Sequence, residues 1–276
     1  MFFHPKLDAA SRQRLMDEAT DPSNAGKAWR PGRPLAEAQN AHYSNKPGEM
    51  LAALQGDFNF LEADFRMEGL FRRLPVVDRW REPVAAHDTF ESDGLTLGEW
   101  LEVGAASERG LKIDIKQAAA IPKIIAEVKK RNIHDQRLIF NADIQQGPGG
   151  PSRFKLLNGR LFQDLTTDLG DLKRIRAAFP NATISIGAYT GKQPPGTTYA
   201  DKHLDRFTEI ADEVGGPFQF ALRAEFVDAA TVARLKPHGQ VAIWNDPSSF
   251  SPPDIDAEIR RLRALGVDGM IDLRQA

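Results

Sequence analysis

The chain has 276 residues, 41% hydrophobic and 27% charged, with a formal net charge of −2. This balance is that of a globular chain and argues against a general electrostatic grip on nucleic acid, leaving room for a local basic groove. It has no cysteine, so disulfides, zinc–thiolate sites and cysteine nucleophiles are ruled out. A single α/β barrel commonly has this length.

Residues 1–35 read as an N-terminal arm. "DAASRQRLMDEA" predicts a short helix capped by Asp8, and "EATDPSNAGKAWRPGRPL" has a loop composition. The apolar start is too short for a signal peptide, and no run approaches the ~18 apolar residues of a membrane span. The expectation is a cytoplasmic protein without a nucleic-acid partner.

Residues 36–276 read as one barrel domain in which strands and helices alternate. "AEAQNAHY" leads into the helix "PGEMLAAL", and "FNFLEADF" is a strand. A longer connection through "PVVDRW" and "EPVAAHD" reaches the helix "TLGEWLEVGAAS". "GLKIDIK" is a strand, followed by the helix "QAAAIPKIIAEVKKRN", interrupted early by Pro122. "RLIFNADI" is a strand and "QQGPGGPSR" a loop; "LGDLKRIRAAFP" is a helix and "ATISIGAY" a strand. "TYADKHLDRFTEIADEVG" is an amphipathic helix stopped by glycine, and "FQFALRAEFV" a strand. The helix "DAATVARLKPHG", the strand "QVAIWND", the helix "DIDAEIRRLRALG" and the strand "GMIDLR" complete the chain. Eight such units favour a closed (β/α)8 TIM barrel over an open sheet, and no G-x-G-x-x-G follows the first strand.

A barrel of this kind does its chemistry at the C-terminal ends of the strands. There the sequence places His42 and Asn45, then Glu62 and Asp64, His87, the alternating Lys112, Asp114 and Lys116, the pair Asn141 and Asp143, Arg223, Trp244 with Asn245, and Asp272. Each alone has a plain structural reading. The acids and lysines can be self-neutralising ion pairs, a lone histidine is more often hydrogen-bonded than catalytic, and Arg223 can pair with Glu225 or Asp64. His4, His134, His203 and His238 are read as structural outright.

Together they suit a specific chemistry. Glu62, Asp64 and Asp114 converging on one rim offer hard oxygen ligands for Mg2+ or Ca2+. His42 and His87 offer a base and an acid. Lys112 and Lys116 add positive charge for a phosphate. A barrel that binds a phosphorylated ligand or protein partner without turning it over is the alternative. A Schiff-base enzyme using Lys112 or Lys116 ranks below both.

The order His, Glu-x-Asp, His-Asp, then an acid two residues before a lysine resembles the phospholipase-C-like phosphodiesterase superfamily, whose fold is a (β/α)8 barrel. Within it, "AHYSNK", "FLEADF", "PVAAHD", "SDGLTLGEWL", "GLKIDIK", "FNADIQQGPGG", "SIGAYTG", "ALRAEFV" and "AIWND" are similar to the menorin family. The resemblance implies a metal-dependent phosphodiesterase acting on a glycerophosphodiester- or phospholipid-like substrate, by hydrolysis or by cyclisation. His42 and His87 would be catalytic, Glu62, Asp64 and Asp114 would hold a divalent metal, Mg2+ before Ca2+, and Lys116 would contact the phosphate. Asn45, Lys112, Asn141, Arg223 and Trp244 fall in menorin-like motifs and are expected on the substrate side. The His-Arg-Gly and Glu-Asn-Thr motifs of glycerophosphodiesterases are replaced here, and Asp114 stands where they carry a glutamate, as in the sphingomyelinase D branch.

Overall fold

The computed structural model describes residues 6–67, 82–87, 93–150 and 167–275. Its strands are β1 (Asn40–Ala41), β2 (Phe60–Met67), β3 (Pro83–Ala85), β4 (Gly110–Ile115), β5 (Leu138–Gln146), β6 (Thr183–Tyr189), β7 (Phe218–Arg223), β8 (Gln240–Trp244) and β9 (Ile271–Asp272). Its helices are α1 (Ala9–Ala19), α2 (Pro47–Gln55), α3 (Leu97–Ala106), α4 (Ile121–Lys130), α5 (Leu169–Ala178), α6 (Asp201–Val214), α7 (Ala229–Leu235) and α8 (Ile255–Ala264). The barrel sheet runs β1-β2-β4-β5-β6-β7-β8-β9, parallel at each pairing. It is the TIM-type barrel expected from the alternation of elements, nearly closed.

The register sorts each strand into two faces. Leu61, Ala63 and Phe65 point outward into the main core between sheet and helices, while Phe60, Glu62 and Asp64 alternate with them on the barrel interior. Phe60 joins Trp29, Ile139, Ala242 and Met270 in a separate apolar cluster that fills the barrel's lower interior. A Cβ on Gly110 would fall 2.3 Å from the Phe60 ring, so glycine there makes room for the aromatic. Above it lies a polar layer in which Asp64, Asp114, Asn141, Ser185, Gln219 and Gln240 are register partners in succession.

Arginines at the N-terminal side donate to main-chain carbonyls, some of them left open by helix ends. Arg109, fully buried, donates to Ala53 O at 2.7 Å and to Leu54 O at the end of α2. Arg137 donates to Gly104 O in α3 at 3.0 Å, and Arg263 to Gly269 O at 2.8 Å. The arm helix α1 is capped by Asp8, which accepts from Ser11 N at 2.9 Å, and Leu15 and Ala19 bury its inner face in the main core.

Three local features differ from the sequence reading. Pro122 lies in the first turn of α4 and opens that helix rather than interrupting it, because a first-turn residue has no helical acceptor for an N–H. "FQFALRAEFV" stays extended only to Arg223; Ala224–Phe226 tightens into a 3-10 turn. "PVA" within the expected connection forms β3, which pairs antiparallel with the end of β2, Phe65 opposite Ala85. "PVVDRW", the loop beyond Gly150 and His4 lie outside the described residues. Among those described, no helix is long and apolar enough to cross a membrane.

Candidate functional site

The C-terminal rim gathers its charges through strand register. Glu62 lies opposite Lys112, and Asp64 opposite Asp114. Glu62 Oε1 is 3.1 Å from Lys112 Nζ. Lys116, just beyond β4, spans the other two acids, its Nζ 3.0 Å from Asp64 Oδ1 and 2.7 Å from Asp114 Oδ2. One ammonium thus sits where carboxylates from two neighbouring strands meet.

Each acid is also held from behind. The Asn45 side chain donates to Asp64 Oδ2 at 3.4 Å and accepts from the Asp64 backbone N–H at 2.9 Å. Asn141 donates to Asp114 Oδ1 at 3.1 Å, Ser185 Oγ donates to Asn141 Oδ1 at 2.7 Å, and Gln219 donates to Ser185 Oγ at 3.1 Å. This buried chain follows the polar layer across four strands and fixes how Asp114 faces the rim. Asn45 and Asn141 therefore act on the acids directly.

His42 sits where the barrel closes. Its Nδ1 lies 3.0 Å from Glu62 Oε2 and 2.9 Å from Asp272 Oδ2. Asn40 donates to the same two carboxylates, at 2.8 Å to Asp272. Burial opposes charge on the ring, but Glu62 and the hydrogen bond to Asp272 outweigh it and push His42 up to about 9. With Nδ1 engaged by carboxylates, Nε2 is the nitrogen left for proton transfer. Ser44 secures the turn that follows, its Oγ donating to Glu62 O at 2.7 Å while accepting from Trp100 Nε1 at 3.0 Å.

His87 is exposed just beyond β3. It and His42 flank one ring: Tyr43 lies 3.9 Å from the His42 ring and 5.3 Å from the His87 ring, centre to centre. Arg223 and Trp244 are register partners on β7 and β8. The Arg223 guanidinium is ion-paired to Glu225, as the plain reading expected, lies 5.4 Å from the Trp244 ring centre and donates to Thr190 Oγ1 at 3.2 Å.

The electrostatics favour an added cation. Five carboxylates, of Glu62, Asp64, Asp114, Asp143 and Asp272, face four cationic groups: Lys112, Lys116, the His42 imidazole and the Arg274 guanidinium beside Tyr43. Burial raises Asp64 above the ordinary carboxylate range despite Lys116, with Asp114 and Glu62 adding to the effect. Burial pushes Asp143 up to about 6; among the described residues its side chain makes no hydrogen bond or ion pair, and a Cβ on Gly187 would fall 2.3 Å from its Oδ1. This surplus of oxygen donors suits an added cation. Among the described residues, the acidic and histidine group that brings one ligand atom each within 4.8 Å of one another and can hold a metal ion is His42, Glu62 and Asp272; the expected set Glu62, Asp64 and Asp114 is not gathered in this way, and Lys116 is seated between Asp64 and Asp114. Glu62 belongs to both possible ligand sets.

Burial works against the charge on both lysines, but their acids outweigh it. Glu62 raises Lys112, and Asp114 with Asp64 raises Lys116 well above its usual range. A Schiff-base amine needs the reverse.

Asp272 and Asp143 were noted at the rim in the sequence but not placed in the ligand set; Asn40 and Tyr43 carried no signal of their own. Of the remaining histidines described, His134 and His203 accept from the backbone N–H groups of Gln136 and Ala200, and His238 pairs with Asp212.

The family model described as the Menorin N-terminal domain matches residues 35–239. Human Protein FAM151B is 27% identical over 195 residues, which cover 70% of this chain. The matched stretch spans 64% of that relative's length.

Proposed function

The chain belongs to the menorin family, and from that premise we propose that it is a metal-dependent phosphodiesterase acting on a small or lipid-like phosphodiester. The observation that carries this reading is Lys116 bridging Asp64 and Asp114, next to a histidine whose Nδ1 is held by two carboxylates. Glu62, Asp64 and Asp114 would hold the divalent ion, which would supply charge stabilisation at the phosphoryl oxygens.

The chain's own residues do the rest. Glu62 and Asp272 hold His42 so that Nε2 exchanges a proton with the nucleophile or the leaving oxygen, and His87 serves as its counterpart across the Tyr43 ring. Asn45 and Asn141 keep Asp64 and Asp114 in place. Lys116, the more exposed of the two lysines, offers its ammonium to the phosphate. Lys112 balances Glu62, and Arg223 with Trp244 forms a wall of the same mouth. A water nucleophile gives hydrolysis; a substrate hydroxyl gives a cyclic phosphate.

The test is turnover of a chromogenic phosphodiester with Mg2+, Ca2+ or Mn2+, repeated after chelation. Activity that needs the ion and returns with it supports the enzyme. Phosphate binding without turnover under every ion instead identifies a non-catalytic barrel that binds a phosphorylated ligand.

A further inference from the structure

Tyr43 has φ +60°, a left-handed backbone that is costly for a bulky aromatic residue. Its neighbour Ser44 fixes that turn, donating both its N–H and its Oγ–H to Glu62 O at 2.7 Å. The result stands the Tyr43 ring between the two histidines. The Arg274 side chain donates a hydrogen bond to the phenol, and the charges of Asp64, Arg274 and Lys116 bear on it. Such strain persists only where the surroundings over-determine it, and it puts an aromatic surface in the middle of the rim.

Arg274 lies on that surface, its guanidinium carbon 5.1 Å from the ring centre. Its position is set by backbone. Asn245, fully buried, accepts from Arg274 N at 2.7 Å and donates to Arg274 O at 2.8 Å. This prolongs the pairing of β8 and β9 by one side chain. A guanidinium carries five N–H donors, so those not used by the Tyr43 phenol and Asn245 O remain for an anion. Arg274 Nε is buried without a hydrogen-bond partner. The guanidinium donates to Asn245 O at 3.3 Å, and among the described residues no carboxylate pairs with it. Lys112, Lys116 and Arg223 each have one.

We infer that Arg274, set against Tyr43 and anchored by Asn245, is a substrate-binding residue that takes the non-bridging oxygens of the phosphoryl group. This deepens the phosphodiesterase reading and rests on it for the substrate class. The planar donor edge matches two phosphoryl oxygens at once, which a lysine cannot do. Being always charged, it gives the acidic rim a fixed attraction for an anion. Tyr43 acts as its positioning residue.

The test is calorimetric titration of the full chain with inorganic phosphate in buffer containing Mg2+, using the parent protein, Arg274→Gln, Arg274→Lys and, as a control, Arg206→Gln on the exposed face of α6. The Asn245 side chain holds only the Arg274 backbone, so the side-chain variants keep that clamp and lose the guanidinium's bond to Asn245 O. Arg274→Gln is expected to weaken phosphate binding about 10-fold or more, Arg274→Lys less, and Arg206→Gln not at all. Equal affinity in the parent and Arg274→Gln, or no phosphate binding by the parent, overturns the inference. If the parent hydrolyses a chromogenic diester while Arg274→Gln keeps its KM, this inference fails and the phosphodiesterase reading stands. If phosphate affinity depends on Arg274 but no diester is turned over, the anion site stands and the hydrolytic reading fails.

Discussion

Asp272, in the last strand, meets His42, just beyond the first, at 2.9 Å between Oδ2 and Nδ1. β1 and β9 are two residues each, and the described pairings do not include one between them. Side chains make the seam: Asp272 accepts from both His42 and Asn40. The carboxylate that orients the imidazole also ties the barrel's ends together. Asp272→Asn is therefore expected to cost about 1.5–3 kcal/mol, the range of a buried hydrogen bond to a charged group, read by urea denaturation. The same variant is expected to lose turnover.

His42→Ala and His87→Ala are each expected to lower phosphodiester turnover by about 100-fold or more, with circular dichroism unchanged. Near-parental rates in either variant would rule out acid–base work by the pair.

The imidazole also predicts a pH dependence for the metal-free protein. Its folded pKa of about 9 lies above an unfolded value of about 6.5. Its contribution is therefore complete below about pH 6.5, fades as pH rises, and is gone above about pH 9. The span corresponds to about 3 kcal/mol at most. Denaturation midpoints of the parent and His42→Ala should converge as pH is raised from 6 to 9.5; parallel profiles would contradict the assignment.

Lys116 and a divalent ion compete for the same two carboxylates. Lys116→Met leaves Asp64 and Asp114 facing each other without their ammonium, at an expected cost of about 3–5 kcal/mol without metal. Added Mg2+ should recover more stability in this variant than in the parent. A smaller Mg2+ response in Lys116→Met, measured by thermal unfolding, would place the ion elsewhere.

The two overlapping ligand sets are separable in the same way. An ion on Glu62, Asp64 and Asp114 predicts that Asp64→Asn and Asp114→Asn weaken Mg2+ binding while Asp272→Asn largely spares it. The opposite ranking in a metal titration would put the ion on His42, Glu62 and Asp272 and remove His42 from proton transfer.

Much of this was legible in the chain itself. Alternating apolar runs and helix caps gave the barrel, and side chains at the strand ends gave the rim, because strand period fixes which residues share the interior. Sequence could not place Asp272 beside His42, since barrel closure brings together residues 230 apart. β3 was invisible because three residues carry no periodicity; it forms because β2 runs on to Met67 and offers an edge. Tyr43 and Arg274 carry no signal of their own in the sequence. Their relation depends on one left-handed turn and one buried asparagine amide, neither of which leaves a pattern in residue types.

The short end strands have a consequence for how this protein responds to its ligand. Where other neighbours in the sheet are zipped by main-chain ladders, the ends of this cylinder are latched by side chains of the polar rim, His42, Asn40 and Asp272. Whatever neutralises or coordinates those groups also adjusts the latch. Amide protons of Asn40, Ala41, Ile271 and Asp272 should exchange with deuterium at rates that change on ion binding, while those of β5 and β6 hold steady. Local breathing of the shell and occupancy of its mouth are then one equilibrium, observed from two directions.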